Sequence, residues 1–463
     1  MASGEGTQHI LLTVEAEAFI EALEATDIKD IGSQRWAQQH ERLEKLNMQA
    51  ALNASAQEEE FVKECIVSLD KVPTIIHELI ATEIWKLHIF PEMVERKLEP
   101  KVLFPVYMVL YHEATLANLL ETILFHQDAM ESAEDSVLDL LDYCYRKLTM
   151  LIARMEEIQN KEEEGDSVNV TQDSTAALTL EELEQQNKTL DFDISIKAIS
   201  LLRYITDHFE GLPLSVVTRL MNTHDIPVLL VELIEKPPWS RIHKGVQEKY
   251  IDGKWLAVSE EEHYRLTKTE GQVWLSLFTL LLNPQCQQKY EFNQYRKNKL
   301  LKLRSYLTEV MLDQLPVLGD LQRYLEQLSM MEPPPPKQEL ILEQVPEMHD
   351  RIMQQYEGRW GKLAVQQSKT FFNPSTDDIK KHAQRLADTY NFDMLEGLIA
   401  DAPKCALCGL PASKRCSRCQ NEWYCRRECQ VQHWKKHKKA CDLLVDAIRK
   451  VKEQEEKQTA AAR

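Results

Sequence analysis

The side chains with the greatest chemical potential are concentrated in residues 405–441, CALCGLPASKRCSRCQNEWYCRRECQVQHWKKHKKAC. Seven of the chain's ten cysteines fall there, among lysines and arginines. The spacing is C-x2-C-x7-C-x2-C-x5-C-x3-C-x7-H-x3-C. It supplies Cys405, Cys408, Cys416, Cys419, Cys425, Cys429, His437 and Cys441, and two tetrahedral zinc ions need eight ligands. A catalytic zinc keeps an open fourth position for water, whereas here every position is filled, so the expected metal role is structural.

Two beads filled in sequence order would leave little apolar core between them. An interleaved pairing, Cys405, Cys408, Cys425 and Cys429 at one zinc and Cys416, Cys419, His437 and Cys441 at the other, closes each loop across its neighbour. Structural zinc contributes on the order of 10 kcal/mol per site at neutral pH, enough to fold a segment too small to fold by burial alone. A rival arrangement, Cys416, Cys419, His433 and His437, approximates a DNA-reading finger. It would strand Cys405, Cys408, Cys425, Cys429 and Cys441 and line its helix with cysteines. His433 is also placed to replace His437 as a ligand; His437 leaves three residues before Cys441.

The rest of the chain must position this segment. At 463 residues it is too long for one small core, and 13 glycines among many leucines and glutamates suit helices. Residues 401–463 carry 15 Lys and Arg against 8 Asp and Glu, a net +7, leaving −26 of the total −19 for residues 1–400. An acidic body with a basic cap repels nucleic acid and anionic membrane. No basic and apolar leader and no span-length apolar run occurs, so a reducing cytosolic or nuclear setting is expected, where clustered thiols bind zinc rather than form disulfides.

The pattern reads as helices over 1–159, an acidic mobile loop over 160–177, helices over 178–331, a proline spacer at 332–337, a helical connector over 338–400, the finger over 401–445 and a helical tail over 446–463. In SVLDLLDYCYRKLTMLIARM, Val137, Leu141, Cys144, Leu148, Leu151 and Met155 share one helical face. Asp252-Gly253 between apolar runs predicts a hairpin. VPTIIHELIATEIW (72–85) and IPVLLVELIEKPPW (226–239) echo each other, a proline followed twelve residues later by tryptophan. Stacked helical repeats and coincidence both account for the echo. The expected architecture is mostly α: an elongated or two-lobed helical body, armadillo-like if the echo is a repeat, carrying a small two-zinc finger.

HELIA (77–81) and HEATL (112–116) begin like metalloprotease motifs but lack the second histidine, so His77 and His112 are read as surface or groove residues. No phosphate-cradling glycine motif and no nucleophile elbow occurs. Cys65, Cys144 and Cys286 read as inert core thiols. Trp85, Trp239, Trp255 and Trp274 read as packing residues.

CSRC, WYC, ECQ and HWKKHKKAC together resemble a MYND-type zinc finger. That resemblance implies two interleaved zincs and a module that takes short, often proline-containing peptides. It assigns the peptide groove to Gln430 and Trp434, four apart on one helix, and supports His437 as the ligand. His433 stands where the family usually has aspartate. The whole chain also resembles the MYND-domain factors that assemble axonemal dynein arms. This implies a non-enzymatic adaptor in the cytoplasm of ciliated cells, near the centrosome or basal body, that binds dynein chains, chaperones and co-chaperones. The alternative from the same finger is a transcriptional co-regulator binding peptide motifs of nuclear factors. An interleaved two-zinc ubiquitin ligase does not fit the ligand spacing.

Overall fold

The computed structural model describes residues 10–98, 100, 103–163, 179–243, 245–333 and 345–373, and in the finger 405–408, 410, 412, 414–418, 422–434, 437–438 and 441. The chain divides into two compact units, Met1–Lys380 and Lys381–Arg463, each described separately. The acidic loop beyond Glu163, the spacer from residue 334, residues 374–404 and the tail lie outside the described residues.

The first unit is helical because apolar residues recur every three or four positions and the helix starts are capped. Ser33 accepts from the Trp36 N–H to open Gln34–Ala56, and Thr179 with Glu182 forms a capping box at Leu180–His208. Val72–Ile84, Phe104–Ile123 and Ile226–Glu235 each carry proline in the first turn, where its missing N–H costs nothing. Leu180–His208 is the central helix. It packs against Ser136–Glu163, Phe104–Ile123 and Lys268–Leu282, burying Leu183, Ile194, Ala198, Leu201, Leu202 and Ile205. The helices on the two sides of the acidic stretch therefore share one hydrophobic core, which runs from Leu11 to Phe372. In Ser136–Glu163 the expected stripe faces inward: Val137, Leu141, Cys144, Leu148 and Leu151 are buried and Met155 is half-buried.

Both echo segments are buried helices that start at their prolines, and Trp85 and Trp239 are buried at their ends. After Ile84 the first one widens into a π turn, Trp85–Ile89, before Phe90–Glu95. Pro91 has no N–H to donate and its ring crowds the preceding turn, which accounts for the widening.

The Asp252-Gly253 hairpin forms: β2 (Val246–Ile251) pairs with β3 (Lys254–Ala257), and Ile251 faces Lys254. Both turn residues have positive φ, 48° and 78°, as a type I′ turn requires. The helical reading of 178–331 missed β1 (Ser240–His243), which pairs antiparallel with β2 and makes the sheet order β1-β2-β3.

Within 338–400, Met348–Tyr356 and Trp360–Thr370 are helical and dock on the body. Gln367 is fully buried. Its amide accepts from Trp85 Nε1 at 2.8 Å and donates to the Ile28 carbonyl at 2.9 Å. Tyr356 donates to Asp27, and Met348 N–H donates to Asp139 Oδ1 at 2.9 Å. These helices are thus part of the core they were expected only to connect.

The surface-or-groove reading of the HEATL histidine is overturned. His112 is fully buried, and its Nδ1 lies 2.8 Å from Nδ1 of buried His40, so one ring donates and the other accepts. Trp36 stacks on His40, and Glu78 Oε2 lies 3.8 Å from His112 Nε2. His77 is also mostly enclosed, with Nδ1 3.8 Å from Glu78. Next to this pair a second polar set is sealed in the core. Glu113 is fully buried and meets Lys86 at 2.7 Å, Lys147 at 2.6 Å and the Tyr143 hydroxyl at 2.8 Å. Burial pushes the Glu113 carboxyl up, but the Lys147 and Lys86 ammoniums outweigh it and hold the group below the ordinary carboxylate range. Burial likewise pushes Glu78 up, yet His112, His77 and the Thr26 N–H bring it down to about 2. Cys144 and Cys286 are buried with thiols pushed up by burial, Cys286 to about 12. Cys65 is only half-buried.

Candidate metal centre and interaction face

In the finger, backbone pairing brings distant ligand pairs together. β4 (Lys414–Arg415) and β5 (Trp423–Tyr424) form a two-stranded hairpin, with Lys414 opposite Tyr424 and Arg415 opposite Trp423. Ala406 N–H donates to the Trp423 carbonyl at 2.9 Å, which ties the first cysteine knuckle to β5. Cys416 N–H donates to the Glu422 carbonyl at 2.8 Å, tying the second knuckle to the residue before β5. Residues 427–434 then turn helical, so Cys425 lies at the helix entrance and Cys429 within its first turns.

The ligand atoms of Cys405, Cys408, Cys425 and Cys429 all lie within 4.8 Å of one another, as do those of Cys416, His437 and Cys441. Sulfur separations are 3.5 Å for Cys408–Cys425, 3.6 Å for Cys425–Cys429, 3.9 Å for Cys408–Cys429 and 3.9 Å for Cys416–Cys441. A tetrahedral zinc with Zn–S of about 2.3 Å sets its sulfurs roughly 3.8 Å apart. These contacts are therefore edges of metal tetrahedra rather than thiol hydrogen bonds. Cys416 lies between Cys408 and Cys425 in the chain but belongs to the second cluster, so the two sites are interleaved as the spacing suggested. Cys419 falls outside the described residues. Cys405, Cys429, Cys416, His437 and Cys441 are buried, and Cys408 is exposed.

His433 does not join either cluster. Its Nδ1 lies 3.1 Å from the Tyr424 hydroxyl, and its ring stacks on His437 at 6.0 Å. Tyr424, nearly fully buried, also meets His437 edge-on, so it packs against both histidines at the second site. This Tyr424–His433 pair went unassigned in the sequence; the aromatic between Trp423 and Cys425 was its only signal. Gln430 and Trp434 are both half-buried on the same helix, and the Trp434 ring meets His437 edge-on at 5.9 Å. Trp434 thus packs beside the second metal site while part of its surface stays open. Around them Lys414, Arg415, Arg418, Arg426, Arg427 and Lys438 are exposed, and Arg415 lies over the Trp423 ring at 4.4 Å. Val431 adds an exposed apolar side chain on the same helix.

Residues 405–441 match the family described as the MYND finger. Over 450 residues, 92% of this chain and 98% of its relative, the chain is 34% identical to the Zinc finger MYND domain-containing protein 10 homolog of Drosophila melanogaster. The chain belongs to the zinc finger MYND domain-containing protein 10 family. Similarity to Ubiquitin carboxyl-terminal hydrolase 17 of Arabidopsis thaliana, 41% over 44 residues, covers 9% of this chain and 6% of that protein. Similarity to Ubiquitin C-terminal hydrolase 15 of Oryza sativa, 49% over 39 residues, covers 8% and 4%. No solved structure matches the chain. For this MYND domain-containing protein 10 relative, family membership therefore extends over body and finger together, whereas the hydrolases share only a stretch of finger length. Among the described residues no helix is long and apolar enough to cross a membrane.

Proposed function

We propose that the chain is a non-enzymatic adaptor. Two structural zinc ions shape the finger into a docking knob, with Cys419 as the fourth ligand of the second site. Gln430 and Trp434 line its peptide groove: the indole supplies a flat apolar wall and the amide holds a peptide backbone. The basic rim favours an acidic partner. The helical body holds a second client. The observation that carries this reading is the four-sulfur first cluster, which fills a zinc shell without a position for water, next to a half-open Gln430 and Trp434 on the adjoining helix.

The finer reading follows the likeness stated for the whole chain. The adaptor works in the cytoplasm of ciliated cells, near the centrosome or basal body, where it brings axonemal dynein chains to chaperones and co-chaperones before the arms are assembled. A pulldown from ciliated-cell cytosol, with the full chain and with residues 401–463 removed, tests it. Dynein chains and co-chaperones should be recovered with the full chain, and part of that set should be lost with the truncation. Recovery of nuclear transcription factors alone would replace this reading with that of a co-regulator.

A further inference from the structure

The body carries a free sheet edge that the finger-centred function does not use. β1 is an outer strand, and its neighbour among the described residues is β2 alone, so its other side turns the backbone of Ser240 and Ile242 outward, with the Ser240 N–H taken by the Pro237 carbonyl. On this edge the Ile242 side chain is 70% exposed. A cavity of about 580 Å³ runs along this edge, within the size range of ligand sites. Arg154 and Phe192 from the helical body wall it opposite Arg241, Ile242, His243 and Trp255. No Asp or Glu is among its lining residues, although residues 1–400 carry a net charge of −26.

The strand's own alternation fixes the chemistry. Arg241 and His243 share one face, where Arg241 lies 4.0 Å over the Trp255 ring. Glu248 takes the Nε and Nη2 of Arg241 at 2.8 Å, part of the guanidinium's donor set of five. Ser240 and Ile242 share the opposite face. We infer that β1 and its cavity dock an extended partner segment as a fourth strand. The segment carries carboxylates at the positions opposite Arg241 and His243 and a β-branched aliphatic residue opposite Ile242. Backbone ladder bonds hold the segment, and the cross-strand pairs select it.

The test uses the full zinc-loaded chain and a fluorescent octapeptide of alternating glutamate and valine, followed by anisotropy. Saturable binding is expected, with slowed amide exchange confined to residues 240–243 and their β2 partners. A central proline in the peptide should abolish it. Arg241→Glu should weaken this peptide by about tenfold and confer comparable binding of a lysine-valine peptide, the swap that distinguishes recognition from a damaged fold. Exchange read separately at residues 240–243 and at the finger residues 405–441 separates binding at this edge from any binding at the finger's basic rim. Several outcomes would overturn the inference. These are absence of saturable binding, equal affinity for both peptides in the native chain, or protection elsewhere. A dimer lost in Arg241→Glu would make a second copy the occupant. A rise in affinity after residues 164–178 are replaced by a glycine-serine linker would make the chain's own acidic stretch the occupant.

Discussion

At the scale of single residues, the body depends on polar groups sealed where water cannot reach them. Glu113 holds Lys86, Lys147 and Tyr143, so Glu113→Ala would strip the buried Lys147 ammonium of its ion-pair partner and leave Lys86 with Asp191 alone. The expected loss is about 3–5 kcal/mol in urea unfolding, and an unchanged midpoint would show that the lysines find other partners. Two groups give the acid response its shape. His40 is driven well below its ordinary value, first by burial and then by His112. Its depressed value means that the unfolded chain takes up the proton first, so stability falls as the pH drops below about 6.5. Glu78 is lowered to about 2, so its contribution is present above about pH 4.3 and is lost as the pH falls toward that lower value. Urea midpoints between pH 7 and 3 should therefore fall in two stages. Glu78→Gln should reduce the second, to which Glu113 also contributes, and a single stage in the native chain would contradict the assignment. HELIA and HEATL draw the eye to Glu78 and Glu113 in the sequence, but nothing there marks them as buried. A buried Glu or His reads like a surface one until its partners arrive, and the partners of Glu113 come from other segments. By contrast the two ligand clusters were legible, apart from Cys419 outside the described residues, since metal chemistry demands fixed residue types at short spacings.

Among the elements, short-range signals were legible and long-range docking was not. The stripe of Ser136–Glu163 and the Asp252-Gly253 turn are set by neighbours within a few residues. β1, Ser-Arg-Ile-His, lacks an apolar alternation and exists because β2 pairs with it. Gly253→Ala forces a side chain to φ 78° and should destabilise the hairpin by about 1–2 kcal/mol, read as faster amide exchange in β2 and β3 with little change in the helices. The docking of Trp360–Thr370 depends on Gln367, which bridges Trp85 Nε1 and the Ile28 carbonyl across the core. Gln367→Ala leaves Trp85 Nε1 buried without its partner, at about 1–3 kcal/mol, while the Ile28 carbonyl keeps the Ile31 N–H. Limited proteolysis between residues 345 and 373 should accelerate, and protection equal to the native chain would show that the helices are held by apolar contacts alone.

For the whole molecule, body and finger are stabilised by different physics. One hydrophobic core from Leu11 to Phe372 stabilises the body, and metal ligation stabilises a finger whose own buried cluster is little more than its cysteines, Ala412 and Tyr424. The chelator-treated chain should therefore keep a cooperative helical unfolding transition while the finger alone loses exchange protection. Trp434→Ala should weaken partner capture while zinc content stays intact, because the ring packs beside His437 without ligating. The most direct measurement is the zinc count of the intact chain by native mass spectrometry. The account predicts two zincs, with Cys408→Ser and Cys416→Ser each disturbing a different one. A single zinc, or both ions lost together in both variants, would contradict two interleaved four-ligand sites.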